Sequence, residues 1–347
     1  MKSRGEQLPV ELWLLIFSYI EVHDLFQAFS NLNNYFDKLL ASKQLFLNVQ
    51  LGSKTKHPNS KFNQSNFYWS NSILDRVTCI QSFSEYESDD LLQFLQSHSK
   101  KLIQLKSLII QVSIQNIPSI CSALEQFHSL HSISLTCIPS QKLLEIILLV
   151  PTLRICRLRF WRPISIINYQ SGTNSNVEIL YIQLLDDPNH SISYLLLSHM
   201  PKLKRLEIEK CRSVPLFNQE IFILEHLQIL KFIWNRHQYK SDYFEHCHTV
   251  VPYLKSLYLT VYYFQFDEAF DINLIDFVWT LLKKMKSIKI FILCNQLMTT
   301  VNNNIQTKLD TYCQQLSFEL NTRSDAIFQI KRTEEKAHKH KIQIISQ

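Results

Sequence analysis

A nine-residue phrase, L-x-x-L-x-L with an anchor residue after it, constrains the fold of this chain more than any other feature. It starts at Leu74, Leu105, Leu130, Leu153, Val177, Leu203, Leu227, Leu254 and Met285, with successive gaps of 31, 25, 23, 24, 26, 24, 27 and 31 residues. In an extended segment alternate side chains point to opposite faces, so the fourth and sixth positions share one apolar face while the third, fifth and seventh share the other. The clearest copies are Leu203 to Cys211 and Leu227 to Asn235, which reach the ninth position with Cys or Asn. Three copies follow a proline, at Pro151, Pro201 and Pro252, which ends the segment before each.

Helical patterns lie between the phrases. Asp90 to His98 carries Leu91, Leu92, Phe94 and Leu95. Gln141 to Val150 carries Leu143, Leu144, Ile147 and Leu148, and Asn273 to Leu282 carries Leu274, Ile275, Phe277, Val278, Leu281 and Leu282. A short strand followed by one helix cannot bury its own apolar side, whereas a stack of such units makes a continuous core. The expected fold class is therefore α/β: short parallel strands alternating with helices in a curved solenoid, whose concave face carries the outward strand positions.

The chain has only three glycines, Gly5, Gly52 and Gly172. Phosphate-cradling loops, dinucleotide fingerprints and nucleophile elbows need glycines close together so that backbone can approach a ligand or turn sharply. The nearest pair here is 47 residues apart, which excludes those motifs.

Residues 8–20 start with Leu8-Pro9 and form two apolar stripes at helical spacing, Leu12/Ile16/Tyr19 and Trp13/Phe17/Ile20. A helix apolar nearly all round is buried on several sides. Second and third short helices are expected over Val22 to Ser30 and Asn34 to Ala41, carrying Leu25, Phe26, Phe29, Phe36, Leu39 and Leu40. Three helices this short cannot cover so much apolar surface among themselves, so the excess meets either the rest of the chain or a partner.

This opening segment resembles the F-box through Leu8, Pro9, Glu11, Leu12, Ile16, Phe17, Tyr19, Ile20, Asp24 and Leu25. Phe36 and Phe46 stand where tryptophan is commoner, and Asn31-Leu32-Asn33 replaces the usual turn. The phrases after it resemble the irregular leucine-rich repeats that follow many F-boxes, with spacings mostly in the 20–29 window of that family. The resemblance implies a three-helix domain over 1–51, a linker or irregular cap over 52–73, a repeat solenoid over 74–320 and a C-terminal cap and charged tail over 321–347. It implies docking onto a Skp-type adaptor, and through it a cullin-based ubiquitin ligase, with Leu8, Pro9, Leu12, Ile16, Phe17 and Leu25 at the contact. The chain would be a non-catalytic receptor subunit whose repeats bind a protein substrate.

Among the outward strand positions, those expected to touch a substrate are Arg157, Arg159, Tyr181, Arg205, Glu207, Glu209, Lys231 and Tyr258, because Arg and Tyr anchor protein interfaces. The alternative is that these charges merely keep an open sheet soluble. A repeat module with no ligase role, its helices only a cap, is the competing function; an enzyme with an irregular site is a second.

No cofactor or metal is expected. His246-Cys247-His248, near His237, has no second pair at zinc spacing. The cysteines lack C-x-x-C spacing and read as small buried hydrophobes, with Cys79, Cys156 and Cys211 at regular repeat positions. Net charge is +6 with no interleaved basic and aromatic stripe, so nucleic acid is not an expected partner. No apolar stretch approaches the ~20 residues that span a bilayer, and no basic-then-apolar leader opens the chain, so no membrane is expected and the location is cytoplasmic, nuclear or both. Lys331 to Lys341 reads as a solvated charged extension.

Overall fold

The computed structural model describes residues 7–51, 70–82, 88–161, 174–184, 196–209, 223–234, 250–262, 289–295, 314, 317–318, 328–336 and 339–346. The chain divides into two compact units, Met1–Arg157 and Leu158–Gln347. The fold is α/β, built on parallel strands.

The first unit opens with three short helices, α1 (Val10–Ser18), α2 (Val22–Phe29) and α3 (Asn34–Leu40). Strands β1 (Leu47–Leu51), β2 (Val77–Ser82), β3 (Ser107–Gln111) and β4 (Ser132–Cys137) then run parallel in sequence order. Between and after them lie α4 (Asn71–Leu74), α5 (Ser88–His98), α6 (Ile117–Leu124) and α7 (Gln141–Leu149). Strand β5 (Ile155–Phe160) crosses the boundary between the units. In the second unit β6 (Ile179–Leu184), β7 (Arg205–Glu209), β8 (Ile229–Trp234), β9 (Ser256–Tyr262) and β10 (Lys289–Asn295) are parallel. Two antiparallel strands complete it: β12 (Lys339–Ser346) pairs with β10, and β11 (Phe328–Lys336) pairs with β12. Residues 331–341, expected as a solvated extension, thus lie largely in paired strands. The helical pattern over Asn273 to Leu282, the phrase start Met285, the His246-Cys247-His248 run, His237 and Cys211 lie outside the described residues.

The strands repeat one local design. The fourth and sixth positions are buried in each unit, as with Leu108 and Ile110, Ile133 and Leu135, Leu206 and Ile208, and Leu230 and Phe232. The first position is buried as well, at Leu105, Leu130, Leu153, Val177, Leu203, Leu227 and Leu254. The reason is a turn. The N–H of Leu105, Leu153, Leu203, Leu227 and Leu254 donates to the carbonyl three residues back, at 3.1–3.3 Å. Each turn therefore tucks two apolar residues inward, Leu102 with Leu105 or Met200 with Leu203. Pro151, Pro201 and Pro252 occupy the second turn position, where a ring-fixed φ is already correct. These prolines both stop the preceding segment and build the bend into the strand.

The second position of each phrase provides the tie to the next. The Lys106 carbonyl accepts from the N–H groups of His131 and Ser132, and the His131 carbonyl from those of Arg154 and Ile155, all at 2.9–3.0 Å. In the second unit the Glu178, Lys204 and Gln228 carbonyls do the same for Lys204/Arg205, Gln228/Ile229 and Lys255/Ser256, at 2.8–3.0 Å. One carbonyl satisfying two consecutive donors sets where each strand starts, independent of side chains.

Strand pairing corrects the phrase boundaries at both ends of the array. Cys79 lies opposite Ser107 and Ile80 opposite Leu108, so the first phrase runs from Val77 and not from Leu74, which is in α4. Cys79 consequently moves from an inward to an outward position and is only half-buried. At the other end Lys289 lies opposite Ser256, which places the last phrase two residues later than Met285. A shift of two preserves the alternation, and Ile290 is fully buried.

Helices α5, α6 and α7 cover the inward face of the first unit. Helix α6, not expected from the sequence, buries Ile117, Ile120, Cys121 and Leu124, an i, i+3, i+4, i+7 stripe with Pro118 in its first turn. Helix α7 buries Leu143, Leu144, Ile146, Ile147 and Leu148.

Candidate functional site

Two surfaces collect the candidate residues, one in each unit. The first is α1. Its backbone starts at Val10, and Pro9, in extended conformation, is the N-cap residue whose carbonyl accepts from Leu12 and Trp13 at 3.1 and 3.2 Å. The Tyr35 hydroxyl on α3 donates to the Leu8 carbonyl at 3.3 Å and holds the segment leading into the helix.

One face of α1 is packed. Trp13 and Phe17 meet Phe29 of α2 and Phe36 of α3, with ring centroids 4.8–5.9 Å apart for Trp13–Phe17, Trp13–Phe29, Trp13–Phe36 and Phe17–Phe29. Such edge-on and tilted rings suit the aromatic quadrupole. The other face is bare. Leu12, Leu15, Ile16 and Tyr19, at i, i+3, i+4 and i+7, are all exposed, with Leu8 and Val10 beside them and Leu32 exposed in the turn after α2. The two stripes read in the sequence thus separate cleanly, with Trp13/Phe17 inward and Leu12/Ile16/Tyr19 outward.

Of the residues expected at the adaptor contact, Leu8, Pro9, Leu12 and Ile16 are exposed. Phe17 and Leu25 are not: both are at 0 % exposure, against 41 % for Ile16. Both side chains are enclosed, so they support the bare face from beneath without being part of it. Leu15 and Tyr19 take their place on the bare face. The signal for Leu15 was its position three residues after Leu12.

The three helices are pinned where their ends meet the strands. The Glu21 carboxylate caps α2 by accepting from His23 N–H at 2.9 Å and Asp24 N–H at 3.2 Å. Burial raises this carboxyl above its ordinary range, against the pull of the backbone donors. Asn33 caps α3, accepting from Tyr35 and Phe36 N–H at 2.9 and 3.0 Å. Before it, Asn31 adopts φ 61°, the left-handed conformation that asparagine tolerates, and its N–H reaches Asp37 Oδ1 at 2.9 Å. Replacing Asn33 by alanine is expected to cost about 1 kcal/mol of stability, read as a lower urea midpoint at unchanged slope. Arg76, buried just before β2, donates to the Leu40 and Ser42 carbonyls at the end of α3, at 2.6 and 2.9 Å, and to Ser72 at 2.7 Å. Asn48 of β1 donates to the Ser18 carbonyl at the end of α1.

The second surface is the outward face of β5 to β10 in the second unit. Arg159 is exposed and its Nε donates to the Gln183 side-chain oxygen. The Tyr181 hydroxyl donates to Glu209. Burial first, then this hydrogen bond, raises the Tyr181 phenol well above its usual value, so it remains a donor. Arg205 Nε donates to Glu207 Oε1 at 2.7 Å, and Lys231 Nζ reaches Glu207 Oε2 at 3.4 Å. Strand pairing aligns Tyr181, Glu207, Lys231 and Tyr258 in one row across four strands. Seven of the eight residues expected at a substrate contact are therefore neighbours on this unit's sheet. The eighth, Arg157, is exposed on β5 in the first unit. The outward positions of β3 and β4 there are uncharged: Ser107, Ile109, Gln111, Ser132, Ser134 and Thr136.

Cys121, Cys137 and Cys156 are buried and free. Burial, then the neighbouring Cys121, pushes the Cys137 thiol up to about 12, and burial raises Cys156 further. Thiols held protonated in this way pack as small hydrophobes and are poor nucleophiles. Among the described residues no helix is long and apolar enough to cross a membrane. In comparison with known proteins, no family model and no curated protein matches the chain.

Proposed function

We propose that this chain is the substrate-recognition subunit of a cullin-type ubiquitin ligase, with α1–α3 acting as an F-box that docks a Skp-type adaptor and the leucine-rich repeats holding a protein substrate. The observation that carries the reading is the bare apolar face of α1. Six large apolar side chains within residues 8–19 are exposed although the helix has a well-filled aromatic face to pack against. Contiguous apolar surface of this kind marks a protein contact. It contains Leu8, Leu12, Ile16 and Tyr19, with Pro9 exposed beside them, five residues of the F-box resemblance. The receptor breaks no bond itself. It raises the local concentration of substrate lysines near the charged conjugating enzyme by binding both.

A repeat module with no ligase role competes, because α1–α3 belong to the same compact unit as β1–β4 and are tied to it through Arg76 and Asn48, as a cap would be. Adaptor binding by the full chain separates the two. With purified Skp-type adaptor, the wild-type chain is expected to bind, and Leu12→Ala combined with Ile16→Ala to lose on the order of 100-fold in affinity, as for two central apolar anchors at about 1.4 kcal/mol or more each. The thermal midpoint should be unchanged, since both side chains are exposed. Wild-type protein that is folded and does not bind would leave the cap reading.

A further inference from the structure

The outward face of the second unit has a charge arrangement that its strand pattern alone did not reveal. Its carboxylates are already engaged: Glu207 lies between Arg205 and Lys231, and Glu209 accepts from Tyr181. Glu207 is also the more covered partner, its side chain 15 % exposed against 44 % for Arg205 and 30 % for Lys231. Among the described residues of this unit's outward face, the exposed ones are cationic, Arg159 on β5, Arg205 on β7 and Lys289 on β10, and Lys231 on β8 is half-buried beside them.

We infer that this face binds an extended acidic segment of a partner protein, one rich in Asp and Glu, laid across strands β7 to β10. The inference rests on the receptor reading above and specifies the class of substrate it takes. Glu207 supplies the argument for carboxylate: the Arg205 guanidinium, through Nε and Nη2, and the Lys231 ammonium already grip a carboxylate from two sides, and both cations keep more exposure than Glu207 does. The cations are spread, not convergent. From β7 to β10 the sheet covers ~14 Å at the usual strand spacing, a distance that about four or five extended residues span. A single phosphorylated residue would instead call for several cations at one point. Four cations against two carboxylates leave too small an excess for the counterion release that drives nucleic-acid binding.

The test uses the full chain and a fluorescein-labelled ten-residue polyglutamate peptide, followed by anisotropy at rising salt. Binding that weakens with salt is expected, with Arg205→Gln plus Lys289→Gln lowering affinity about tenfold and Lys142→Gln, at an exposed position of α7 in the first unit, leaving it unchanged. If the double variant proves less stable, Lys289→Glu, at an exposed position, reads the same loss. Polyglutamate binding insensitive to these changes would overturn the inference, as would tighter binding of a phosphoserine peptide or an RNA decamer through the same residues. Adaptor binding measured on the same variants keeps the two readings apart: peptide binding without adaptor binding removes the ligase, and the reverse removes the acidic segment.

Discussion

Phe17→Ala is expected to lower the stability of the first unit by about 3–5 kcal/mol, the usual range for removing a buried phenyl ring and leaving its cavity. Phe17 is fully buried and its ring faces both Trp13 and Phe29, at 5.3 and 4.8 Å, with Phe36 at 6.4 Å. Those neighbours are large, flat and held by three separate helices, so the hole cannot close by one side chain swinging over. For a unit of this size the loss corresponds to a fall in thermal midpoint on the order of 10 °C. Chemical denaturation followed by tryptophan fluorescence measures it, because Trp13 lies against the site. The contrast with Ile16, the adjacent residue, is the informative part. Ile16→Ala should barely move the midpoint yet weaken adaptor binding, whereas Phe17→Ala should do the first and affect binding only through unfolding. A Phe17→Ala protein as stable as wild type would show that the aromatic cluster is not the core of the three helices.

Arg76→Ala is expected to cost about 3 kcal/mol or more, although it removes no apolar contact of comparable size. The guanidinium serves three carbonyls, those of Leu40, Ser42 and Ser72, and is itself buried. Hydrogen bonds from a charged donor contribute about 1.5–3 kcal/mol each, and the carbonyls left behind are poorly placed to find water. A cation at the C-terminal end of α3 also faces the negative end of that helix. Lysine is expected to rescue little, since one ammonium lacks the planar fork that reaches separate carbonyls. Hydrogen exchange is the sharper readout: amides of α3 and of β1–β2 should lose protection together, because Arg76 is the tie between them. Loss confined to α3 would count against that coupling.

The repeat was legible because it is local. A phrase such as Leu203 to Ile208 states its own alternation, and the bends before Leu153, Leu203 and Leu254 are announced by Pro151, Pro201 and Pro252. The α1 stripes were legible for the same reason, since helical spacing divides Leu12/Ile16/Tyr19 from Trp13/Phe17. Helix α6 has a readable stripe from Ile117 to Leu124, but it lies in a short gap between strong phrases, where eight residues give the periodicity little room to stand out. β1 was less accessible, with Leu47 and Val49 offering only two inward positions.

What the sequence by itself determined, then, is the alternation of inward and outward residues and the spacing at which strands return, both consequences of backbone geometry within a few residues. It could not determine which stripe of α1 faces the protein, because both are equally apolar. The difference lies in the rings of Phe29 and Phe36, brought to Trp13 and Phe17 by α2 and α3. Nor could it determine where the first phrase begins. Leu74 fits the spacing, but the pairing of Cys79 with Ser107 moves the start to Val77. The charges on β5 to β8 were visible as residues, whereas their pairing was not. Only neighbouring strands, laid side by side by tertiary structure, bring Glu207 to Lys231 and Glu209 to Tyr181, and so decide which charges are paired within the sheet and which face solvent.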